Sequence, residues 1–304
     1  MKNYITTLFF FVLFAAWLNP AMASDQWNHT DGPYGGSVWA LEVLSDGTIL
    51  AGTLSHGVYF STDGGDSWLS SNLDDVTVRD FAKGDGSLIF AATQNGVYRS
   101  EDGGRSWSRA SAGIEEPIAQ SVLVLEGGRV LAATLNGGIY ASDDNGNSWS
   151  EANSGIELKF GYALAAHPDG AVVAGVANRV YRSEDNGQTW SVAQAELASV
   201  RANAIVVDRE GVLFMGTQQG AYLSTDQGQS WQSTGSVFAD TEILDLAVTG
   251  NNTLLAATRD GVYQSIDNGQ SWSAEGLSGQ PVYSVACHGG MQVAGANPGV
   301  FVRQ

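Results

Sequence analysis

An eight-residue motif that recurs at a nearly constant interval constrains the fold of this chain more than any other feature. Residues 61–68 read Ser-Thr-Asp-Gly-Gly-Asp-Ser-Trp, and every copy fits the pattern Ser-x-Asp-x-Gly-x-Ser/Thr-Trp. The five further copies occupy residues 100–107, 142–149, 183–190, 224–231 and 265–272. Successive copies begin 39, 42, 41, 41 and 41 residues apart. A period of this length is typical of a propeller blade made of four short strands.

The sequence around each motif predicts the same set of strands. In the first repeat, residues 38–43, 48–53 and 57–61 are rich in β-branched and aromatic side chains, and Asp46-Gly47 supplies a hairpin turn. The motif then turns the chain, and Trp68 begins a fourth strand. No segment has a sustained helical period. We therefore predict an all-β chain built from four-stranded blades.

The two ends of the chain predict how the ring of blades closes. After the sixth motif, residues 282–287, 291–296 and 299–303 form three strands with no fourth strand behind them. Residues 26–30 resemble a fourth strand, with Trp27 at the position of the motif tryptophan. We predict a seven-bladed β-propeller whose last blade is closed by the N-terminal strand. Such closure leaves no long sheet edge exposed.

The first residues predict export. Lys2 precedes an apolar run over residues 5–18, Pro20 interrupts it, and residues 21–23 are Ala-Met-Ala, as a signal peptidase requires. We expect residues 1–23 to be a cleaved signal peptide and residues 24–304 to be the propeller, in the periplasm or secreted. An uncleaved N-terminal anchor is the alternative.

The charge of the chain limits its partners. With 14 Lys and Arg against 32 Asp and Glu, the formal net charge is −18. This balance argues against nucleic acid and against anionic membrane surfaces, because both require clustered basic side chains. One cysteine excludes a disulfide framework and Cys-based zinc patterns. We expect no cofactor, no membrane insertion of the mature chain, and a monomer.

The repeated octapeptide resembles the Asp-box, or BNR repeat, of bacterial sialidase-type propellers. This motif also occurs in the photosystem II assembly factor family, in sortilin-type receptors and in some xyloglucan-degrading enzymes. The resemblance covers nearly the whole chain after residue 23, and its seven-blade length is most similar to the photosystem II assembly factor family. That resemblance implies an accessory or assembly role and a basic patch on one face of the propeller, but no catalysis.

The positions that are the same in all six octapeptides favour a structural role. An aspartate in a tight turn accepts backbone hydrogen bonds, and each tryptophan can pack beneath the hairpin. One aspartate per blade is too widely spaced for two of them to share a metal ion, so we expect no metal site, with calcium binding as the alternative. The residues concerned are Asp63, Asp102, Asp144, Asp185, Asp226, Asp267, Trp68, Trp107, Trp149, Trp190, Trp231 and Trp272.

Alignment of the repeats identifies one variable position near the entrance of the central channel. The seven residues at this position are Trp39, Arg79, Gln120, Tyr162, Asn203, Leu244 and Tyr283. Two residues later every repeat has an apolar residue, which indicates that the fold requires an apolar side chain there in every blade. The variable position shows no such common requirement. We predict that the six residues other than Leu244, with Arg201 and Arg259, form a face that binds a protein partner or a polar ligand such as a glycan. Ordinary plugging of the channel by large side chains is the alternative.

The loops that lead into this face are acidic, and Arg179 also belongs to them. The sequence predicts an acidic rim, for which solvated turns are the alternative explanation. The acids are Asp74, Asp75, Glu115, Glu116, Glu157, Glu196, Asp240 and Glu242.

The sequence offers little support for catalysis. The Arg-Ile-Pro signature of sialidases is absent, and those enzymes normally have six blades. A glycoside hydrolase of the xyloglucanase type needs two carboxylates that face each other across a cleft, and only Asp80 and Asp245 are candidates. We therefore favour a non-enzymatic interaction or assembly module, with no catalytic residues assigned. A carbohydrate-active propeller is the alternative.

Overall fold

The described part of the chain forms seven separate four-stranded antiparallel sheets. The computed structural model describes residues 26–34, 36–193, 200–234, 238 and 241–304. In each sheet the strands lie side by side in chain order, except in the sheet that joins the two ends of the chain. The prediction of an all-β, seven-bladed propeller is confirmed.

Strands in equivalent positions of the seven blades have similar lengths. The first strands, which line the channel, are β2 (Val38–Val43), β6 (Val78–Lys83), β10 (Ala119–Val124), β14 (Gly161–Ala166), β18 (Ala202–Val207), β22 (Ile243–Val248) and β26 (Val282–His288). The second strands are β3 (Ile49–Thr53), β7 (Ile89–Thr93), β11 (Val130–Thr134), β15 (Val172–Val176), β19 (Leu213–Thr217), β23 (Leu254–Thr258) and β27 (Met291–Ala296). The third strands are β4 (Val58–Ser61), β8 (Gly96–Ser100), β12 (Gly138–Ser142), β16 (Arg179–Ser183), β20 (Gly220–Ser224), β24 (Gly261–Ser265) and β28 (Val300–Arg303). The fourth strands are β5 (Leu69–Ser70), β9 (Ser108–Arg109), β13 (Ser150–Glu151), β17 (Ser191–Val192), β21 (Gln232–Thr234), β25 (Ser273–Gly276) and, for the seventh blade, β1 (Asn28–His29).

The seventh blade joins the two ends of the chain. Strand β1 pairs antiparallel with β28, with Asn28 opposite Val302 and His29 opposite Phe301. Trp27, just before β1, donates its indole N–H to the Glu275 carbonyl of the sixth blade at 3.2 Å. The predicted closure by an N-terminal strand is therefore confirmed.

The core lies between the blades and depends on small residues in the second strands. All residues of β3, β7, β11, β15, β19 and β23 are buried, because each second strand is covered by blades on both sides. Gly52 of β3 shows why the strands carry alanine and glycine: a Cβ there would lie 2.6 Å from a methyl group of Val78 in the next blade. Small residues thus let neighbouring blades pack in direct contact.

The strand order defines two faces. We call "mouth face" the side formed by the loops between second and third strands and by the connections between blades; the first hairpins and the octapeptide turns lie on the opposite face. The described residues contain no helix long and apolar enough to cross a membrane. The predicted signal peptide, residues 1–23, lies outside the described residues.

Candidate functional site

Each octapeptide turn satisfies its own aspartate. The carboxylate accepts a hydrogen bond from the hydroxyl of the serine two residues earlier. It also accepts hydrogen bonds from the backbone N–H and from the hydroxyl of the residue four positions later. The same three bonds occur in all six copies. The hydroxyl donor of the seventh position, with the other bonds, lowers the pKa of Asp63, Asp144 and Asp185 to about 2. These bonds favour the charged carboxylate.

The motif tryptophans connect the turns to the core. Five of the six are buried, and Trp68 is half-buried. Trp107 donates its indole N–H to the carbonyl of Gly104 in its own turn at 2.9 Å, whereas Trp190 donates to Ala152 in the previous blade at 2.9 Å. Within the described ranges, no group of three or more His, Cys, Asp or Glu side chains is placed to hold a metal ion.

The candidate binding residues from the sequence come together around one cavity. This cavity, of about 300 Å³, opens on the mouth face, and we call it the mouth. Its lining residues are Trp39, Arg79, Gln120, Tyr162, Arg201, Asn203, Glu242, Leu244, Arg259 and Tyr283. All eight residues assigned to the ligand face are among them. A channel cavity of about 340 Å³ continues below and shares seven of these residues.

Aromatic rings and guanidinium groups stack at the mouth. Trp39 and Tyr283 lie with ring centroids 5.8 Å apart, tilted by 31°. The guanidinium carbon of Arg79 lies 5.6 Å from the Trp39 ring centroid, and that of Arg201 lies 5.4 Å from the Tyr162 ring centroid. Such stacking holds the cations in place without neutralising them.

Arg79 differs from the other two arginines of the mouth. Within the part of the chain that the structure describes, Arg79 makes no hydrogen bond or ion pair, and its buried Nε–H has no acceptor. Burial lowers the pKa of this guanidinium, which remains charged because its usual value is far above neutrality. Arg79 therefore presents unused hydrogen-bond donors to the mouth.

Glu242 holds Arg201 and Arg259 together. Its carboxylate accepts from Arg201 Nη2 at 2.9 Å and lies 3.0 Å from Arg259 Nη2. Asn203 joins this network, since its amide donates to Glu242 at 3.1 Å and its carbonyl accepts from Arg201 Nε at 2.9 Å. The sequence placed Glu242 in an acidic rim, but the structure makes it the bridge between two blades.

The other acids of the predicted rim are placed differently. Asp74, Asp75, Glu115 and Glu157 are exposed, and Glu116 is half-buried. Glu157 pairs with Arg179 at 2.7 Å, and neither residue lines the mouth. Glu196 and Asp240 lie outside the described residues.

Asp80 and Asp245 connect neighbouring blades inside the channel. Asp80 Oδ2 accepts hydrogen bonds from the Ser121 hydroxyl at 2.7 Å and from the Val122 N–H at 3.0 Å, and both donors belong to the next blade. Asp245 Oδ2 accepts from Ser284 at 2.8 Å and from the Val285 N–H at 3.0 Å.

Burial is the main influence on the pKa values of Asp80 and Asp245. It raises the pKa of Asp80 to about 7 and that of Asp245 to about 6, although the hydrogen bonds act in the opposite direction. A serine stands one repeat after each aspartate at the aligned position, and this pattern is a sequence signal that the sequence analysis did not use.

A further charged group deeper in the channel was not identified from the sequence. Glu42 accepts from Lys83 Nζ at 2.8 Å, and burial raises the pKa of Glu42. In the other six repeats the residue at this position is apolar, which is the signal that could have revealed it. Nearby, half-buried Cys287 donates its thiol proton to the Val248 carbonyl at 3.1 Å, and burial raises its pKa to about 11.

Comparison with known proteins identifies relatives of the fold. A family model described as the DUF6242 beta propeller domain matches residues 173–287, less than half of the chain. No match was found among the curated proteins.

Solved structures are similar over most of the chain. YCF48 bound to D1 peptide has a TM-score of 0.72 and 19% identity, covering 91% of this chain and 96% of that one. YCF48 from Cyanidioschyzon merolae has a TM-score of 0.70 and 18% identity over 91% and 98% of the two chains. The GH74 xyloglucanase from Xanthomonas campestris has a TM-score of 0.67 and 18% identity over 91% of this chain and 53% of that one. At such identities the similarity establishes a shared propeller fold.

Proposed function

We propose that this chain is an exported, non-enzymatic interaction or assembly propeller that binds a protein partner through its mouth. The observation that carries the proposal is Arg79, a charged and half-buried side chain that stacks on Trp39 and has no hydrogen-bond acceptor within the described ranges. Burying unused donors is unfavourable, and a partner carboxylate or carbonyl would supply the missing acceptors. Because rigid sheets hold these side chains, little conformational entropy is lost on binding.

Several finer features belong to the same proposal. The six octapeptides are Asp-boxes of the BNR type, and residues 1–23 direct the chain to the periplasm or the medium and are then removed. The build is that of the photosystem II assembly factor type. In support, one hydrogen-bond pattern recurs in all six turns, and YCF48, with a similar fold, was solved with a bound peptide.

The test compares two sets of substitutions in the full-length mature protein. The mouth set replaces Trp39, Tyr162 and Tyr283 by alanine, and the control set replaces Tyr59, Tyr98 and Tyr222, half-buried third-strand residues that do not line the mouth. Partners are captured from envelope extract, identified by mass spectrometry, purified and titrated against each protein. We expect binding to be retained by the control set and lost by the mouth set while its circular dichroism remains native. Equal binding by both sets would overturn the proposal.

A carbohydrate-active propeller is the second candidate. The mouth lining combines the Trp39–Tyr283 pair with Gln120 and Asn203, a mixture of aromatic and amide groups that sugars contact. Against hydrolysis, Asp80 and Asp245 both bind the next blade. The same proteins are applied to a glycan array, and retained glycans are tested for hydrolysis by Asp80→Asn and Asp245→Asn variants. Glycan binding lost in the mouth set, without a protein partner, would favour this candidate.

A further inference from the structure

Large apolar side chains are exposed mainly on the mouth face. Of the seven such side chains among the described residues, four lie in its loops: Tyr34, Leu54, Leu158 and Phe160, with exposed fractions of 87%, 39%, 50% and 43%. The other three are Leu69, Val192 and Ile266, and they lie apart on outer strands and in an octapeptide turn. Single exposed apolar residues are ordinary, whereas their concentration on one face indicates an interaction surface.

The four residues form two groups on opposite sides of the mouth. Tyr34 and Leu54 belong to the first blade, where Leu54 donates its N–H to the Ser37 carbonyl at 3.0 Å. Leu158 and Phe160 precede the fourth blade, and the Phe160 carbonyl accepts from Ala177. Two blades separate the groups on one side of the ring and three on the other. We call these groups the first-blade and fourth-blade apolar groups.

The lining of the mouth carries a net positive charge, although the chain as a whole is acidic. It includes three arginines and one glutamate, which leaves a formal charge of +2. Glu242 already occupies Arg201 and Arg259, whereas Arg79 has no acidic partner among the described residues. A ligand that matches this surface therefore has a carboxylate in the middle and apolar groups on both sides.

We propose that the mouth face binds a single extended segment of a partner protein, in which a carboxylate meets Arg79 and flanking apolar side chains meet the first-blade and fourth-blade apolar groups. This inference rests on the proposed function and specifies the chemistry of the partner. The apolar contacts supply most of the affinity by removing exposed hydrocarbon from water, and the carboxylate fixes the register of the segment.

Selection from a random library of linear 12-residue peptides displayed on phage, with the mature full-length protein as bait, tests the inference. An extended segment of this length reaches about 40 Å. We expect enrichment of peptides with Asp or Glu flanked by large apolar residues on both sides. A synthetic consensus peptide is then titrated by fluorescence anisotropy. Enrichment of basic peptides, or of acidic peptides without apolar residues, would overturn the inference.

Matched variants show where the peptide binds. We expect Leu54→Ser combined with Phe160→Ser to weaken binding about tenfold or more. The control combines Leu69→Ser with Val192→Ser, which removes exposed apolar side chains elsewhere, and its affinity is expected to stay within about twofold. If the mouth set and Arg79→Gln abolish binding but the Leu54 and Phe160 variant does not, the inference fails while the proposed function stands. If no peptide binds and the mouth set alters only glycan binding, both fail.

Discussion

Aspartates occur in two contrasting settings in this propeller, the octapeptide turns at the outer strands and the wall of the central channel. The turn aspartates accept hydrogen bonds from their own octapeptide and have lowered pKa values, about 2 for Asp144 and Asp185. The channel aspartates bind the next blade, and burial raises their pKa values to about 7 for Asp80 and about 6 for Asp245. The same side chain therefore holds a local turn in one region and joins separate blades in the other.

The mouth extends this contrast to function. In the turns, six copies of one motif use their polar groups internally. At the mouth, the seven aligned positions carry six different types of side chain, and Arg79 has no hydrogen-bond acceptor among the described residues. The octapeptide positions that repeat in the blades thus stabilise the fold, whereas the mouth position that differs between blades carries groups that can contact another molecule.

The largest expected effect is a pH dependence of the free energy of unfolding that comes from the channel aspartates and not from the turn aspartates. Because the pKa values of Asp80 and Asp245 are raised above their ordinary value of 3.8, their contribution to the free energy of unfolding is full below that pH and is lost as the pH rises through 6 and 7. We expect this loss to be on the order of 2–4 kcal/mol between about pH 5 and about pH 8. Urea unfolding of wild type and of the Asp80→Asn/Asp245→Asn variant at a series of pH values measures it.

The matched control for this experiment is Asp102→Asn, which alters a turn carboxylate with a lowered pKa. The contribution of Asp102 to the free energy of unfolding is present above its ordinary pKa and is lost only at more acidic pH. The change of the free energy of unfolding between about pH 5 and about pH 8 should therefore match that of wild type. An unchanged slope in the double variant would show that the channel aspartates do not set it.

A smaller effect is expected from a glycine of the octapeptide. Gly104 has φ of +86°, and a Cβ there would lie 2.6 Å from a methyl group of Leu50 in the previous blade. Gly127, in a first hairpin, has φ of +90° with open space around it. Gly104→Ala should lower the free energy of unfolding by about 2–3 kcal/mol, and Gly127→Ala by about 1 kcal/mol. Equal losses in denaturant unfolding would mean that blade packing at the turn adds nothing to backbone strain.

The smallest expected effect concerns the stability of the mouth. Glu242→Gln removes a partly exposed ion-pair network in which the Glu242, Arg201 and Arg259 side chains are 17%, 33% and 56% exposed, and such networks contribute about 1 kcal/mol or less. We expect a thermal midpoint close to that of wild type, with tighter binding of an acidic peptide because two more guanidinium groups become available. A large fall in the midpoint would show that the mouth, like the octapeptide turns, stabilises the fold.

Much of the fold was predictable because it repeats. The six octapeptides and the strands predicted at the two ends of the chain indicated seven blades. The predicted strands of the first and seventh blades begin and end within one residue of the observed ones, except the N-terminal strand, which was predicted over residues 26–30 and is observed over Asn28–His29. Alignment of the repeats also brought together the residues at the mouth, since equivalent positions of a propeller blade face the same channel.

The sequence by itself thus determined the blade, the number of blades, the closure by the N-terminal strand and the set of variable positions, because each depends on a local pattern or on a fixed period. Only the tertiary structure decided which partner each charged side chain has: Glu242 pairs with two arginines, Asp80 binds Ser121 of the next blade, and Arg79 has no partner among the described residues. The Glu242–Arg201 and Asp80–Ser121 contacts each join side chains 41 residues, or about one blade, apart in sequence. They depend on how closely the blades pack around the ring, which no single repeat encodes.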